Sequence, residues 1–309
     1  MVFHSIDEIA AKARELKEAR RVAVAGAENE HVVEAALRAR KDGFVEPILI
    51  GRKKEIRAMV EKFGGGLDEE HFIDVPSNDP NEIAREAVAL VKAGKADFLM
   101  KGLLNTSEIL KAILNKQTGL DHDKIVTVIS MNEIPSIDKL VVFNDAGIIP
   151  DPSFESKVEQ IKLVVRMLRD LGYDETVNVA AVCAAETVSP KIQETVEAEK
   201  LKALSEEGEF PGAIVEGPIS LDLALSKESA RTKKYHSPVA GNADVLLFPN
   251  MVAGNTAAKM MAVCGYRKTV SMLLGAGVPV AMTSRAATTQ AKYTSLALAA
   301  LGAKKREQA

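Results

Sequence analysis

Short apolar runs alternate with amphipathic stretches along almost the whole chain. Residues 21–25 (RVAVA) form an apolar run stopped by Gly26. Asn29 then stands where it can cap a helix with Val32, Val33, Ala36 and Leu37 on one face. Residues 47–50 (PILI) predict the next strand, closed by Gly51, and a helix follows over 53–63 until three glycines break it. Asp79-Pro80-Asn81-Glu82 predicts a helix start, with Asp79 as cap, Pro80 at the first helical position and Glu82 closing a capping box. Residues 96–100 (ADFLM) predict a strand, and Asn105 opens the helix after it.

The middle has a different texture. Residues 126–129 and 140–143 read as strands joined by a segment containing Pro135, which predicts an antiparallel excursion and a domain crossing. A long helix is expected from Asp151-Pro152, with Val158, Ile161, Val165 and Leu168 as its apolar stripe. Strands are then expected at 177–182, 212–215, 244–248 and 278–282, and a last helix at 288–301. Strand and helix signals at this spacing imply βαβ units and mainly parallel sheets. The expectation is an α/β chain of two domains, 1–131 plus 284–309 and 132–283, with the active cleft between them.

Composition narrows the function. The chain has 309 residues, 47% of them hydrophobic, which is ample for a packed core, and no Trp. A net charge of −3 argues against nucleic acid as partner, since that binding needs a positive surface. Two cysteines, Cys183 and Cys264, make no disulfide framework and point to the cytoplasm. The charged N-terminal stretch is unlike a signal peptide, and no apolar run reaches the ~20 residues of a membrane span.

Ligands of open α/β sheets gather at the carboxyl ends of strands, and four segments have that placement. Lys101-Gly102 puts an ammonium and a glycine ahead of a helix N-terminus, a site for an anion such as phosphate. Asn250 to Thr256 (NMVAGNT) reads as a polar-glycine turn before a helix opening at Asn255 or Thr256. Its candidate anion-binding residues are Asn250, Gly254 and Asn255, with Lys259 one turn on. Ser284-Arg285 offers a hydroxyl to a carbonyl oxygen and a guanidinium fork to a phosphate. Asp145, in Asn144-Asp145-Ala146-Gly147, is a candidate base, although turn aspartates are usually structural. Glu186, with Lys191 near it, and Asp222 are further candidates for a base or pocket wall; Cys183 reads as a core thiol. The five histidines show no metal-ligand spacing, and the chain has neither a Walker phosphate loop nor a G-x-G-x-x-G turn. No metal and no permanently bound cofactor are expected.

Taken together, residues 100–116 (MKGLLNTSEILKAILNK), 216–226 (EGPISLDLALS), 237–260 (SPVAGNADVLLFPNMVAGNTAAKM) and 277–301 (GVPVAMTSRAATTQAKYTSLALAAL) resemble the phosphate acetyl/butyryltransferase family. The KGLL run and the TSR helix are closer to its butyryl than to its acetyl branch. The resemblance implies an isocitrate/isopropylmalate dehydrogenase-like fold. It also implies an acyltransferase moving a short acyl group between CoA and phosphate, with acyl-CoA and phosphate as substrates and CoA not a resident cofactor. A cytoplasmic homodimer or larger homo-oligomer is expected. Ser284 and Arg285 occupy the family's Ser-Arg motif, Arg285 holding the phosphoryl group and Ser284 the carbonyl; Gly254 and Asn255 match its glycine-asparagine turn. One departure stands out. The acetyl branch has an aspartate shortly after the Ser-Arg pair, whereas this chain reads AATTQAK, with no acid before Lys292. The alternatives are a phosphate acetyltransferase, a catalytically impaired CoA- or phosphate-binding protein, and a metal- and NAD(P)-dependent dehydrogenase of the same fold.

Overall fold

A computed structural model describes residues 2–265 and 268–306. The chain divides into two compact units, Asp7–Val126 with Val270–Ala309, and Met1–Ile6 with Thr127–Thr269. The return to the first unit thus falls at residue 270, earlier than the 284 read from the sequence, and the first six residues belong with the middle of the chain.

In chain order the first unit begins with α1 (Ile6–Ala13), β1 (Arg20–Ala25), α2 (Glu30–Lys41), β2 (Val45–Gly51), α3 (Lys53–Lys62) and β3 (Phe72–Asp74). It continues with α4 (Pro80–Lys92), β4 (Phe98–Lys101) and α5 (Thr106–Ile113). Asn29 caps α2 by accepting from Val32 N, as its side-chain chemistry predicts. Asp79 caps α4, but the expected capping box does not form. Glu82 accepts from Ser77 Oγ instead, because that hydroxyl lies within reach and also takes the Asp79 N–H.

The second unit holds β5 (Thr127–Glu133), β6 (Leu140–Asn144), α6 (Phe154–Asp170), β7 (Val177–Val182) and α7 (Gln193–Glu206). After these come β8 (Ala213–Ile219), α8 (Leu221–Leu225), α9 (Lys227–Thr232), β9 (Val245–Leu247) and α10 (Met251–Val263). Its strands run in the order β5-β6-β9-β7-β8. Only the β5–β6 pair is antiparallel, which is the excursion the sequence announced. Helix α6 starts at Phe154, not at Asp151-Pro152, because Ser153 supplies the cap by accepting from Ser156 N.

The last elements are β10 (Lys268–Leu274), β11 (Val280–Ala281) and α11 (Thr289–Gly302). They complete the first unit, whose strand order is β3-β2-β1-β4-β11-β10. All of these pairs are parallel except β10–β11. Helix α11 packs against α2, β11 and β4, and nearly every residue from Lys292 to Ala300 is buried. Tyr293 anchors it, donating to Asp42, stacking edge-on against Phe44 and lying under the Arg38 guanidinium.

Candidate active site

Strands β4 and β11 are neighbours in register, Met100 opposite Ala281, so the segments beyond their carboxyl ends emerge side by side. One is Lys101-Gly102-Leu103-Leu104; the other is Met282-Thr283-Ser284-Arg285. The structure therefore brings together Lys101, Gly102, Ser284 and Arg285, four of the residues singled out in the sequence.

Each is held in its own way. Arg285 Nη2 donates to Asn105 Oδ1 at 2.8 Å. Asn105 is itself fixed ahead of α5, where its backbone N and side-chain Nδ2 donate to the two oxygens of Glu108 at 2.7 and 2.8 Å. Gly102 is required by backbone packing. A Cβ there would lie 2.0 Å from the Gly26 carbonyl oxygen, because Gly102 N and Leu103 N both donate back to the end of β1. The close approach inferred from this glycine is thus made by the β1 backbone. Ser284 is exposed, and the cap of α11 is Thr288, which leaves the Ser284 hydroxyl outside any helix-capping role.

Lys101 is only 4% exposed, and its Nζ donates to the Leu104 carbonyl at 3.0 Å and more distantly to Gly102. Burial, then the charges of Lys292 and Arg285, push its pKa down to about 8 against a weak opposing pull from Glu108. Lys292 closes the acid-free stretch that follows Arg285. It is 1% exposed, donates to the Ser284 carbonyl at 3.1 Å and to Thr283 Oγ1 at 3.3 Å, and burial lowers its pKa as well. Its signal in the sequence was a lysine inside TQAKYTSLALAALG, a stretch too apolar to be a solvated face. Three cations thus gather at the carboxyl ends of β4 and β11, which is the electrostatics of an anion site.

The second unit holds the remaining candidates in two groups. Asn250, Gly254 and Asn255 do not form a turn. Helix α10 opens at Met251, with Asn250 as its cap accepting from Ala253 N. The expected start at Asn255 is displaced by a full turn because the Asn250 side chain satisfies the earlier N–H. Gly254 sits inside the helix, against the Asp145 carbonyl, where a Cβ would come within 2.7 Å. Asn255 Nδ2 donates to the Ala146 carbonyl at 2.9 Å. Asp145 lies in the same group with both carboxylate oxygens engaged. One accepts from Thr127 Oγ1 and Val128 N, the other from Gly147 N and Ile148 N, so the side chain braces the turn.

Glu186 and Asp222 form the other group, joined through Ser220 Oγ and Lys233 Nζ. The Lys233 ammonium, with Ser220, holds Glu186 below the usual carboxylate range; Ser220, with Lys233, does the same for Asp222. Both effects weaken these groups as bases. Lys191 is exposed and Cys183 is buried, its thiol pushed up to about 11 by desolvation.

The phosphate acetyl/butaryl transferase family matches residues 76–300, a span that includes both the Lys101 and the Ser284-Arg285 segments. The chain belongs to that family. It is 38% identical to a phosphate acetyltransferase of Thermotoga maritima over 91% of this chain and 95% of that one. It is 37% identical to a phosphate butyryltransferase of Clostridium acetobutylicum over 97% and 98% of the two chains. The crystal structure of a branched-chain phosphotransacylase from Enterococcus faecalis V583 is similar with a TM-score of 0.78 at 28% identity, covering 92% of this chain and 98% of that one.

Proposed function

We propose that the protein is a phosphate acyltransferase that moves a short-chain acyl group, butyryl or of similar length, directly between CoA and inorganic phosphate. The observation that carries this reading is the convergence of Lys101, Arg285 and Lys292 beside the exposed Ser284 hydroxyl. The Arg285 fork suits a phosphoryl group, with Lys101 beside it and Gly102 holding the Lys101 segment against β1. The Ser284 hydroxyl donates to the acyl carbonyl as negative charge develops on it. A phosphate oxygen attacks the thioester carbon and the CoA thiolate leaves; the reverse reaction is the same exchange. Positioning both reactants supplies ~7–11 kcal/mol of the barrier. In the second unit, Gly254 and Asn255, which match the family's glycine-asparagine pair, are assigned with Asn250 to CoA or phosphate contacts.

CoA acts as a substrate in this scheme, and the working form is a cytoplasmic homodimer or larger homo-oligomer of isocitrate/isopropylmalate dehydrogenase-like fold. Family membership supports the first point and the two mainly parallel units support the last; light scattering tests the oligomer. Among the described residues no three His, Cys, Asp or Glu side chains stand together as a metal-ligand set, so the dehydrogenase reading draws no support from the side chains. No described helix is long and apolar enough to cross a membrane. The test is release of free thiol from butyryl-CoA and from acetyl-CoA on adding phosphate. Phosphate-dependent release, faster with butyryl-CoA, is expected. CoA binding without thiol release from either substrate would overturn the proposal in favour of a binding protein.

A further inference from the structure

Lys101 and Lys292 are both enclosed, and neither has a carboxylate of its own. Lys101 Nζ rests on the Leu104 and Gly102 carbonyls, and Lys292 Nζ on the Ser284 carbonyl and the Thr283 hydroxyl. Such oxygens accept from a neutral amine as well as from an ammonium, so these bonds do not fix either lysine in one protonation state. Facing Lys101 are Lys292 from α11, Arg285 from the loop after β11 and Glu108 from α5. Glu108 is already bonded twice by Asn105. Three positive charges thus stand against one committed carboxylate around the two buried lysines. A guanidinium cannot release its proton, so the strain is relieved at a lysine. An arriving phosphate dianion reverses the balance and favours the ammonium. The protonation of this lysine therefore follows the occupancy of the site.

We infer that Lys101 is the proton carrier of the reaction, taking the thiol proton of CoA and passing it to the departing phosphate, with Lys292 as the positioning residue that keeps Lys101 ready to exchange it. This rests on the acyl-transfer reading above. In the direction of acyl-CoA synthesis, the neutral amine accepts the thiol proton: the S–H bond breaks and an N–H bond forms. The sulfur electron pair then forms the S–C bond at the acyl carbon. The C–O bond to phosphate breaks, leaving its pair on oxygen, and that oxygen takes the proton from the ammonium. The amine is restored, and no outside acid, base or oxidant is consumed. The scheme supplies what the first turn of α11 lacks, since Thr288, Thr289, Gln290 and Ala291 offer no carboxylate. Burial and the two neighbouring cations, which bring the Lys101 pKa down to about 8, fit a proton carrier working near neutrality.

The test separates a proton carrier from a fixed charge. Lys101→Arg keeps a cation that does not titrate. It is expected to bind phosphate with a KM within a few-fold of wild type while kcat for acyl-CoA synthesis falls by roughly 10²–10⁴. Lys292→Met removes a like charge, so the rise of kcat with pH is expected to move to higher pH. Carbon-13 NMR of lysines labelled at Cε gives a readout without turnover, with the Lys101 resonance assigned by its loss in Lys101→Arg or Lys101→Met. In wild type it is expected to titrate near pH 8 and to move to higher pH when inorganic phosphate is added. Wild-type kcat in a folded Lys101→Arg would overturn the inference, as would a Lys101 resonance that titrates in the ordinary lysine range and ignores phosphate. Neither result touches the proposed function, which fails only if the wild-type protein does not exchange CoA for phosphate.

Discussion

The Arg285 guanidinium, on the loop after β11, is tied to the side-chain oxygen of Asn105, the residue that caps α5, at 2.8 Å. One nitrogen of the fork is therefore already oriented before any anion arrives. Arg285→Ala is expected to raise the phosphate KM at least tenfold and to lower turnover, since a phosphate dianion loses its bidentate partner. Arg285→Lys should recover only part of this, because an ammonium lacks the fork. Steady-state kinetics with phosphate as the varied substrate check both, and unchanged phosphate kinetics in Arg285→Ala would remove the residue from the site.

Asn105 has two duties that substitution can separate. Asn105→Ala loses the helix cap and should cost ~1 kcal/mol of stability, with a rise of a few-fold in phosphate KM as Arg285 loses its tether. Asn105→Asp keeps an oxygen at the cap but places a carboxylate against the guanidinium, where it competes with phosphate. The phosphate KM should therefore rise further than in Asn105→Ala. Thermal melts and KM values on the same samples decide; a smaller KM effect from Asp than from Ala would contradict the tether.

Ser284 is exposed and is not the cap of α11, which is Thr288. Ser284→Ala should consequently leave stability within ~0.5 kcal/mol of wild type while kcat falls by roughly 10²–10³, with a smaller change in KM. A stability loss with kcat intact would reassign the hydroxyl to folding.

Much of this was legible from side-chain chemistry at strand ends and helix starts. Asn29 and Asp79 were readable as caps, and Lys101, Ser284 and Arg285 as residues just past buried strands. What escaped has physical reasons. β3 pairs over only Phe72–Asp74, too short for alternation to show. In β10, Lys268–Leu274, Thr269 and Ser271 alternate with Val270 and Met272, but over too few residues to stand apart from the apolar stretch of the helix before it. Asn250 to Thr256 reads as a loop because it holds Gly and Asn. The glycine is needed instead where a helix passes against the Asp145 carbonyl, a tertiary demand that local sequence does not display. Lys292 was overlooked because its importance lies in what surrounds it.

Gly102 tests the backbone packing directly. Gly102→Ala puts a Cβ 2.0 Å from the Gly26 carbonyl oxygen, a backbone atom that cannot swing aside. The expected cost is ~1–3 kcal/mol, seen as a lower Tm together with a loss of phosphate affinity as Lys101 is displaced. An unchanged Tm would mean that the two chain segments separate more easily than their paired hydrogen bonds imply.

The lowered pKa of Lys101 also predicts how stability varies with pH. The folded value, about 8, lies below the 10.5 of the unfolded chain. Between these limits the unfolded state binds more protons, so this group makes the ligand-free protein more stable as pH rises through the window. The gain is at most ~3 kcal/mol. Chemical denaturation at pH 7.5 and 10 should show it as a difference between wild type and Lys101→Met that shrinks as pH rises, with wild type gaining more. An equal pH dependence in the two proteins would show that the folded state does not depress this lysine.

The order of the strands also bears on how the chain is made. β11 lies between β4 and β10, and α11 covers α2 and β4, yet these closing elements all come after residue 267. While the ribosome is still translating the middle of the protein, β4 has an open edge and the apolar faces of β4 and α2 lack their cover. The second unit, nearly continuous from Thr127 to Thr269, is fully synthesised before β11 emerges. The first unit must wait for partners more than 150 residues away in sequence, a separation that slows folding and exposes the waiting edge to neighbouring chains. Premature termination before β11 therefore does more than remove Ser284 and Arg285: it releases a nascent chain with a bare strand, a natural client for chaperones.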